Sequence, residues 1–399
     1  VLVVEGGDRD ALDYLKARFS KNRMEFDFGR GKDGFSSWRG KSFWSYNQVV
    51  RRNPSHYLAG RLHVDACGFL YRESGLEGLF ELSRLTCTPV QEVARLSPGA
   101  SITNLYLYTA YLLGHPVPYK YNMCEDFKTA RRLLDADRGG MIYEPETGFH
   151  QGVVELDFAS LYPNIMVNWN LSPETLLCGC CRDNVTVPYC SYNVCRHRRG
   201  IIPKVLAPVL ERRTRLKRLY RESGDERFKR MSNALKWILV TSFGYMGYRK
   251  SRFARIEAHE SITSLARHIL MKSARIAEEN GFKVLHGIVD SLWLAGEGDL
   301  EAVMEEVESE FGVPIELEAR YRWIVFNPSV NSPIAPAPNR YYGVLEDGDV
   351  KVRGIELRRR DAPELVKRFQ SDCLKLLGKA QNLEEFISLV PDLIGLLKD

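Results

Sequence analysis

The sequence predicts an α+β chain, and three stretches carry that prediction. The first is Val153–Ile165, where the apolar run Val153–Leu156 reads as a buried strand ending on Asp157. The second is Val284–Leu294, an apolar strand that turns through Gly287–Asp290 into another apolar strand. The third is a pair of helices expected at 200–222 and 226–240. Leu206, Val209, Leu210, Leu216 and Leu219 give the first an apolar side, arginine and lysine fill the rest, and Ser223-Gly224-Asp225 turns the chain back. Asp157 and Asp290, two carboxylates on neighbouring strand ends, could hold a pair of divalent ions. Either alone is better read as an aspartate satisfied by backbone.

With 399 residues, of which 44% are hydrophobic, two to four domains and a sizeable core are expected. No apolar run reaches the ~18 residues that a membrane span needs, so no membrane partner is expected. No secretory signal opens the chain and it lacks an initiator Met, so Val1 is expected to follow a processed or trimmed segment. The net charge of +5 is mild, but between Arg196 and Arg255 there are 18 Lys/Arg against 4 Asp/Glu. That excess suits a polyanion; a solvated helix face is the alternative. The nine cysteines are odd in number and five of them fall between Cys178 and Cys195, unlike a secreted disulfide framework. A reducing, cytoplasmic and nucleoid-associated setting is expected.

In chain order, Val1–Val4 reads as a strand and Asp8–Phe19 as a helix. The aromatic and polar Ser36–Ser45 reads as a loop, Gly60–Asp65 as a strand, and Gly78–Ser83 and Pro89–Leu96 as short helices. Asp8, Asp10 and Asp65 read as surface or capping residues. The paired Gly139 and Gly140 permit backbone conformations closed to other residues. After the Asp157 strand, Cys178 and Cys181 have CxxC spacing, and Cys190 and Cys195 could complete four thiolates, with Asn184, Pro188 and Tyr189 in the loop between. Such loops bind Zn²⁺ tetrahedrally; the alternative is a set of reduced, half-buried thiols. Ile256–Asn280 reads as a long helix on which His259 and His268 are packing or surface residues. Asp299–Phe311 reads as a helix, Ile315–Phe326 as strands and Arg359–Asp399 as helices.

Asp157-Phe158-Ala159-Ser160-Leu161-Tyr162-Pro163-Asn164-Ile165 closely resembles the first palm motif of B-family DNA polymerases. His286-Gly287-Ile288-Val289-Asp290-Ser291 resembles their second palm motif, usually Tyr-Gly-Asp-Thr-Asp-Ser; Asp290 keeps the second aspartate and Ile288 replaces the first. Arg213 and Lys217 match an Arg-x-x-x-Lys pattern. Lys236–Gly244 resembles Lys-x-x-x-Asn-Ser-x-Tyr-Gly, with Val240 for Asn, Thr241 for Ser and Phe243 for Tyr. Arg138-Gly139-Gly140 resembles the Tyr-x-Gly-Gly linker without its Tyr. Asn339–Tyr342 and Lys351–Glu356 resemble the strands that grip primer–template DNA. The matches run from about Gly139 to Val366. They most resemble the divergent minor B-family subgroup of archaea and some bacteria.

The resemblance implies a right-hand polymerase with an antiparallel-sheet palm, helical fingers, a partial helical thumb and an N-terminal exonuclease-like (RNase H-like) α/β domain. The expected divisions are 1–130 for a degenerate exonuclease-like domain, 131–199 for the first palm part with a Cys-rich insert at 178–197, 200–250 for fingers, 251–345 for the second palm part and 346–399 for the start of a thumb. Asp157 and Asp290, with the Phe158 carbonyl, would hold two Mg²⁺ (or Mn²⁺) for phosphoryl transfer. Phe158, Ala159, Ser160, Leu161 and Tyr162 would line the nucleotide, with Tyr162 excluding a 2′-hydroxyl. Arg213, Lys217 and Lys236 would neutralise its triphosphate, and Lys236 would protonate pyrophosphate. Gly139, Gly140, Arg340, Tyr342, Lys351 and Arg353 would meet DNA.

The resemblance fades at the N-terminus. Aligning Gly7–Leu15 with the second exonuclease motif puts the catalytic Asp position on Ala11, with Asp10 and Asp13 out of phase. Pro98–Asn122 has no acidic residue for the third motif, and the first motif would lie upstream of Val1. A cysteine cluster in the same place helps hold an iron–sulfur cluster in the eukaryotic leading-strand polymerase epsilon, so zinc and iron–sulfur both stand for the Cys-rich loop. The expected function is template-directed DNA synthesis from deoxynucleoside triphosphates on primer–template DNA, without proofreading, with accessory replication or repair proteins as further partners. The alternative is a catalytically silent, polymerase-like DNA-binding scaffold.

Overall fold

The strand that leads to Asp157 is longer than its apolar run. It extends over Gly148–Phe158 and lies inside a seven-stranded sheet. The structure, a computed structural model, describes residues 1–26, 28–30, 35–45, 48–119, 125–181 and 185–396. Asn122, Asn184 and the last three residues of the predicted C-terminal helices lie outside them. The chain forms two units. One comprises Val1–Glu125, Asn170–Leu176 and His197–His259; the other Asp126–Trp169, Leu177–Arg196 and Glu260–Asp399.

The sheet belongs to the second unit. From edge to edge it runs Val350–Arg353, Ser332–Leu345, Ile315–Ser329, Gly148–Phe158, Ser291–Ala295, Lys283–Ile288 and Ile142–Tyr143, with every pairing antiparallel. Ala319 and Tyr321, two apart, point into one cluster with Val153, Leu285, Trp293 and Tyr341, as strand alternation requires. A register shift between Tyr321 and Trp323 then changes the phase. Ile324 and Phe326 rejoin that cluster, whereas Trp323 enters a second one with Val344 and Leu377. Trp323 Nε1 donates to the Ala380 carbonyl at 3.0 Å. Phe386, Leu389 and Leu393 pack there too, so the C-terminal helices Glu364–Leu377, Leu383–Ser388 and Val390–Leu396 are anchored on the sheet. The predicted helix after Asp299 forms at Leu300–Phe311. Asp299 caps it by accepting from Ala302 N at 3.0 Å, and Gly312, at φ 62°, ends it.

In the first unit the basic helices form at Ile201–Ser223 and Glu226–Gly247. Gly224 adopts φ 68° at the end of the first, and Asp225 caps the second by accepting from Arg227 N at 2.9 Å. Three expectations upstream need correction. Ser36–Ser45 is not a loop: Phe35–Trp38 pairs with Ser55–Leu58, and Lys41–Ser45 with Gln48–Arg52. Phe35–Trp38 and the Lys41–Ser45 ribbon are mostly exposed, and only Ser55–Leu58 alternates in burial, so the 36–45 stretch offers no pattern for a sequence to reveal. The short helix at Gly78–Ser83 is the second half of Phe69–Thr86, whose Gly75 at φ 61° interrupts the periodicity. Asp8 and Asp65 are buried, not surface groups. Asp65 does act as a cap, accepting from the amides of Gly6, Asp8 and Cys67 at 3.1, 2.9 and 2.8 Å. Asp8 is gripped by Arg95 through Nε at 2.7 Å and Nη2 at 2.9 Å. Among described residues 1–119, no sheet exceeds two strands.

Candidate active site

Asp157 and Asp290 arrive in one place because two strand ends meet. The Gly148–Phe158 strand pairs with Ser291–Ala295, setting Asp157 opposite Ser291, the residue after Asp290. Ser291 Oγ donates to Asp157 Oδ1 at 2.8 Å, and the Phe158 amide donates to the Asp290 carbonyl at 2.8 Å. The hairpin turn is tighter than its sequence suggests. Gly287 and Ile288 are still strand, and only Val289 and Asp290 turn. Val289 sits at φ 55°, costly for a β-branched residue. Its amide donates to the Met141 carbonyl at 2.9 Å. Gly140 lies so close that a Cβ there would meet Val289 Cγ2 at 2.8 Å. Gly139 has φ 63°, and its carbonyl accepts from Arg267 Nη1 at 2.7 Å. The glycine pair thus serves a left-handed turn and a close approach to the hairpin tip.

The electrostatics are those of crowded carboxylates. Burial, then the charge of Asp290, push the Asp157 carboxyl up to about 6, with Glu318 and Glu155 adding to the rise. Burial also raises Asp290, against the charge of Arg353. Burial and the Asp290 charge push the Tyr162 phenol up to about 12, which puts this ring in the field of the same carboxylate. The partly buried Asp157 and Asp290 carboxyls, both raised, offer an all-oxygen pair that fits a hard divalent cation.

Sequence reasoning missed Glu155 and Glu318. Glu155, 5% exposed, accepts from Tyr321 Oη at 2.6 Å and Lys351 Nζ at 2.8 Å. A lone Glu two residues before Asp157 in an apolar strand was its available signal. Lys351 is paired with Glu155 at 2.8 Å and with Glu318 at 3.5 Å. Tyr342 packs with Trp323 at 6.2 Å between ring centroids. Arg340 pairs with Glu356 at 3.4 Å. Arg353 acts on Asp290 and on the Tyr341 hydroxyl. Phe158 and Ala159 spend their amides on Asp290 and Pro314, and Ser160 takes φ 57° before the helix Leu161–Asn168. His286, at the motif's tyrosine position, is buried and stacks on Trp293 at 4.7 Å. Ile288, at the missing aspartate, packs against the core.

In the first unit, Arg213 and Lys217 are one turn apart on one helix. Lys236 is exposed on the other, in a stripe with Val240 and Gly244. Counted from the 224–225 turn, Arg213 and Lys236 stand at the same level. Thr241 donates to its own helix at Trp237 O, 2.6 Å away, and Phe243 stacks on His259 at 4.3 Å. His268 lies against Tyr189 and Phe311, so both histidines pack.

The cysteine set differs from expectation by one member. Cys178, Cys181 and Cys195 come together with Cys180, not with Cys190. Cys190 is buried elsewhere and donates its thiol to the Glu260 carbonyl at 3.8 Å.

No helix among the described residues is long and apolar enough to cross a membrane. The model of DNA polymerase family B matches residues 117–398. The chain is similar to DNA polymerase 2 of Saccharolobus solfataricus, 35% identical over 77% of this chain and 46% of that protein. It is similar to the DNA polymerase of Archaeoglobus fulgidus, 32% identical over 80% of this chain and 39% of that one. The solved family B DNA polymerase from Pyrobaculum calidifontis superposes with TM-score 0.68 at 22% identity, covering 99% of this chain and 57% of that one. The chain thus spans about half the length of the curated relatives it matches. With its paired strand-end aspartates inside the matched region, the chain belongs to DNA polymerase family B.

Proposed function

We propose that this protein extends a primer 3′ end by template-directed addition of deoxynucleotides. One observation carries the reading: Asp157 and Asp290 share a hairpin-closed site in which burial, and for Asp157 also the charge of Asp290, make both carboxyls reluctant to ionise without a cation. Asp157 and Asp290 would hold Mg²⁺ or Mn²⁺, with the Phe158 carbonyl available as a further oxygen. Divalent ions bound there would stabilise charge on the attacking 3′-oxygen and the leaving pyrophosphate. Ser291 orients Asp157, and the Phe158 amide fixes the Asp290 backbone. Arg213, Lys217 and Lys236 are the cations for the triphosphate, Lys236 donating a proton to the leaving group. Within the proposed division into exonuclease-like segment, palm, fingers and thumb start, Gly139, Gly140, Arg340, Tyr342, Lys351 and Arg353 are the DNA-facing candidates. Primer extension with Mg²⁺ on a defined template tests the reading directly. Templated incorporation supports it; tight primer–template binding without incorporation under Mg²⁺ or Mn²⁺ supports the scaffold, which Ile288 and Val240 favour.

Proofreading is absent in this reading. Ala11 occupies the catalytic position, Asp8 is neutralised by Arg95, and Asp65 is spent on three amides. A labelled primer with a 3′ mismatch, incubated with protein and Mg²⁺ but no nucleotides, should keep its length. Shortening that mutation of Asp8, Asp10 and Asp65 abolishes would refute this.

Tyr162 is the proposed sugar gate. Tyr162→Ala should raise ribonucleotide use relative to deoxynucleotide use by roughly 10–200-fold, the range one group commands in a tight pocket. An unchanged ratio in an active variant would remove Tyr162 from that role.

A further inference from the structure

The Sγ atoms of Cys178, Cys180, Cys181 and Cys195 all lie within 4.8 Å of one another. Three of the separations are 3.9 Å for Cys180–Cys181, 3.6 Å for Cys180–Cys195 and 3.8 Å for Cys181–Cys195. A single zinc bound tetrahedrally, with Zn–S about 2.3 Å, requires sulfur–sulfur edges of about 3.8 Å. A cubane cluster spreads its cysteines over different irons, so their sulfurs stand further apart than the edges of one tetrahedron. A disulfide would draw two sulfurs together and leave two; here no pair is singled out.

Core packing does not explain the gathering. Cys180 is exposed and Cys178 only half-buried, whereas a cluster made by burial alone would hide all four. The surroundings also suit thiolates. The Arg196 amide donates to Cys181 Sγ at 3.4 Å, and Asn193 Nδ2 lies 3.6 Å from Cys178 Sγ while donating to the Cys178 carbonyl at 2.9 Å. Such N–H donors orient metal-bound sulfur and spread its charge. Cys190 supplies the contrast. It is buried, its thiol is pushed up by burial, and it faces the Glu260 carbonyl, so it stays protonated.

We infer that Cys178, Cys180, Cys181 and Cys195 form a closed structural zinc site, independent of the proposed polymerase chemistry. The middle of the loop that carries them is held by Tyr192 Oη and the Cys190 thiol on Glu260. Toward its ends the ladder is short: the two-residue strands Val185–Thr186 and Asn193–Val194, with bonds from Leu177 N to the Asn193 carbonyl and from Val187 N to the Tyr192 carbonyl, each 2.8 Å. One ion would join both ends of the loop, Cys178–Cys181 at one end and Cys195 at the other. With four protein ligands no position is left open for substrate, so the ion is a brace and not a catalyst.

Metal analysis of the purified protein, prepared under reducing conditions without chelator, tests the site. About one zinc per chain is expected. Cys180→Ser and Cys195→Ser should each lose most of it, and Cys190→Ser should retain it. Since Cys180 is exposed, its variant should keep the circular dichroism of wild type, which separates loss of metal from loss of fold. Replacement of the metal by Co²⁺ should give the charge-transfer and intense d–d bands of a tetrahedral tetrathiolate centre. Zinc below about a tenth of an equivalent, several irons per chain with broad visible absorbance, or equal zinc loss from Cys190→Ser and Cys180→Ser would each overturn the assignment.

Discussion

Asp157→Asn and Asp290→Asn should each slow single-nucleotide incorporation by several powers of ten while leaving primer–template affinity nearly unchanged. Each replaces a carboxylate by a neutral amide in a site proposed to hold divalent cations. Every ~1.4 kcal/mol of lost transition-state stabilisation is tenfold in rate. DNA affinity rests instead on lysine and arginine contacts with phosphates. The sign of the pKa shift separates this loss from unfolding. A carboxyl raised in the fold to about 6, as Asp157 is, costs stability progressively as pH rises from the unfolded value through 6, and that cost persists at neutral pH. A neutral Asn removes it, so Asp157→Asn should melt no lower than wild type at pH 7 in the absence of divalent ions. Ile288→Asp puts the family carboxylate back at a position that now packs against the core, and should raise incorporation in Mg²⁺ provided the new charge reaches metal or water. Wild type that incorporates no faster than the Asn variants would defeat the enzyme reading and leave the scaffold.

Glu260→Ala should cost about 3–5 kcal/mol of stability, the penalty for leaving a buried charge without its partner. Glu260 Oε1 lies 3.1 Å from Lys128 Nζ, with the two side chains 2% and 4% exposed. Its Oε2 accepts from Tyr192 Oη at 2.7 Å, and its carbonyl accepts from the Cys190 thiol. One carboxylate thus ties the segment before the sheet to the Cys-rich loop and to the Ile256–Glu279 helix. Lys128→Met combined with Glu260→Ala should recover much of the loss, because both charges are then gone. Urea unfolding measures it; a midpoint unmoved by Glu260→Ala would show that the pair contributes nothing.

The parts legible in the sequence were those with a period or a punctuation mark. Ser223-Gly224-Asp225 framed a helical hairpin, and apolar runs around Asp157 and Asp290 framed the strands that meet. Exposed ribbons such as Lys41–Ser45 left no such mark, since neither face is buried. Pairwise choices were equally hidden. CxxC spacing favours Cys178 with Cys181 but cannot rank Cys180 against Cys190; the backbone turn decides, burying Cys190 beside Glu260. The pairing of Lys351 with Glu155, on a strand far away in sequence, was hidden in the same way.

The bracing of the Val289–Asp290 tip has an entropic consequence. Its backbone is held at the Asp290 carbonyl by Phe158 N and at the Val289 amide by Met141 O, with Gly140 pressed against it. The freedom left to Asp290 is therefore chiefly its side-chain rotation. The ordering that ligand capture would otherwise demand has been completed during folding, so a cation arriving at Asp290 immobilises almost no main chain.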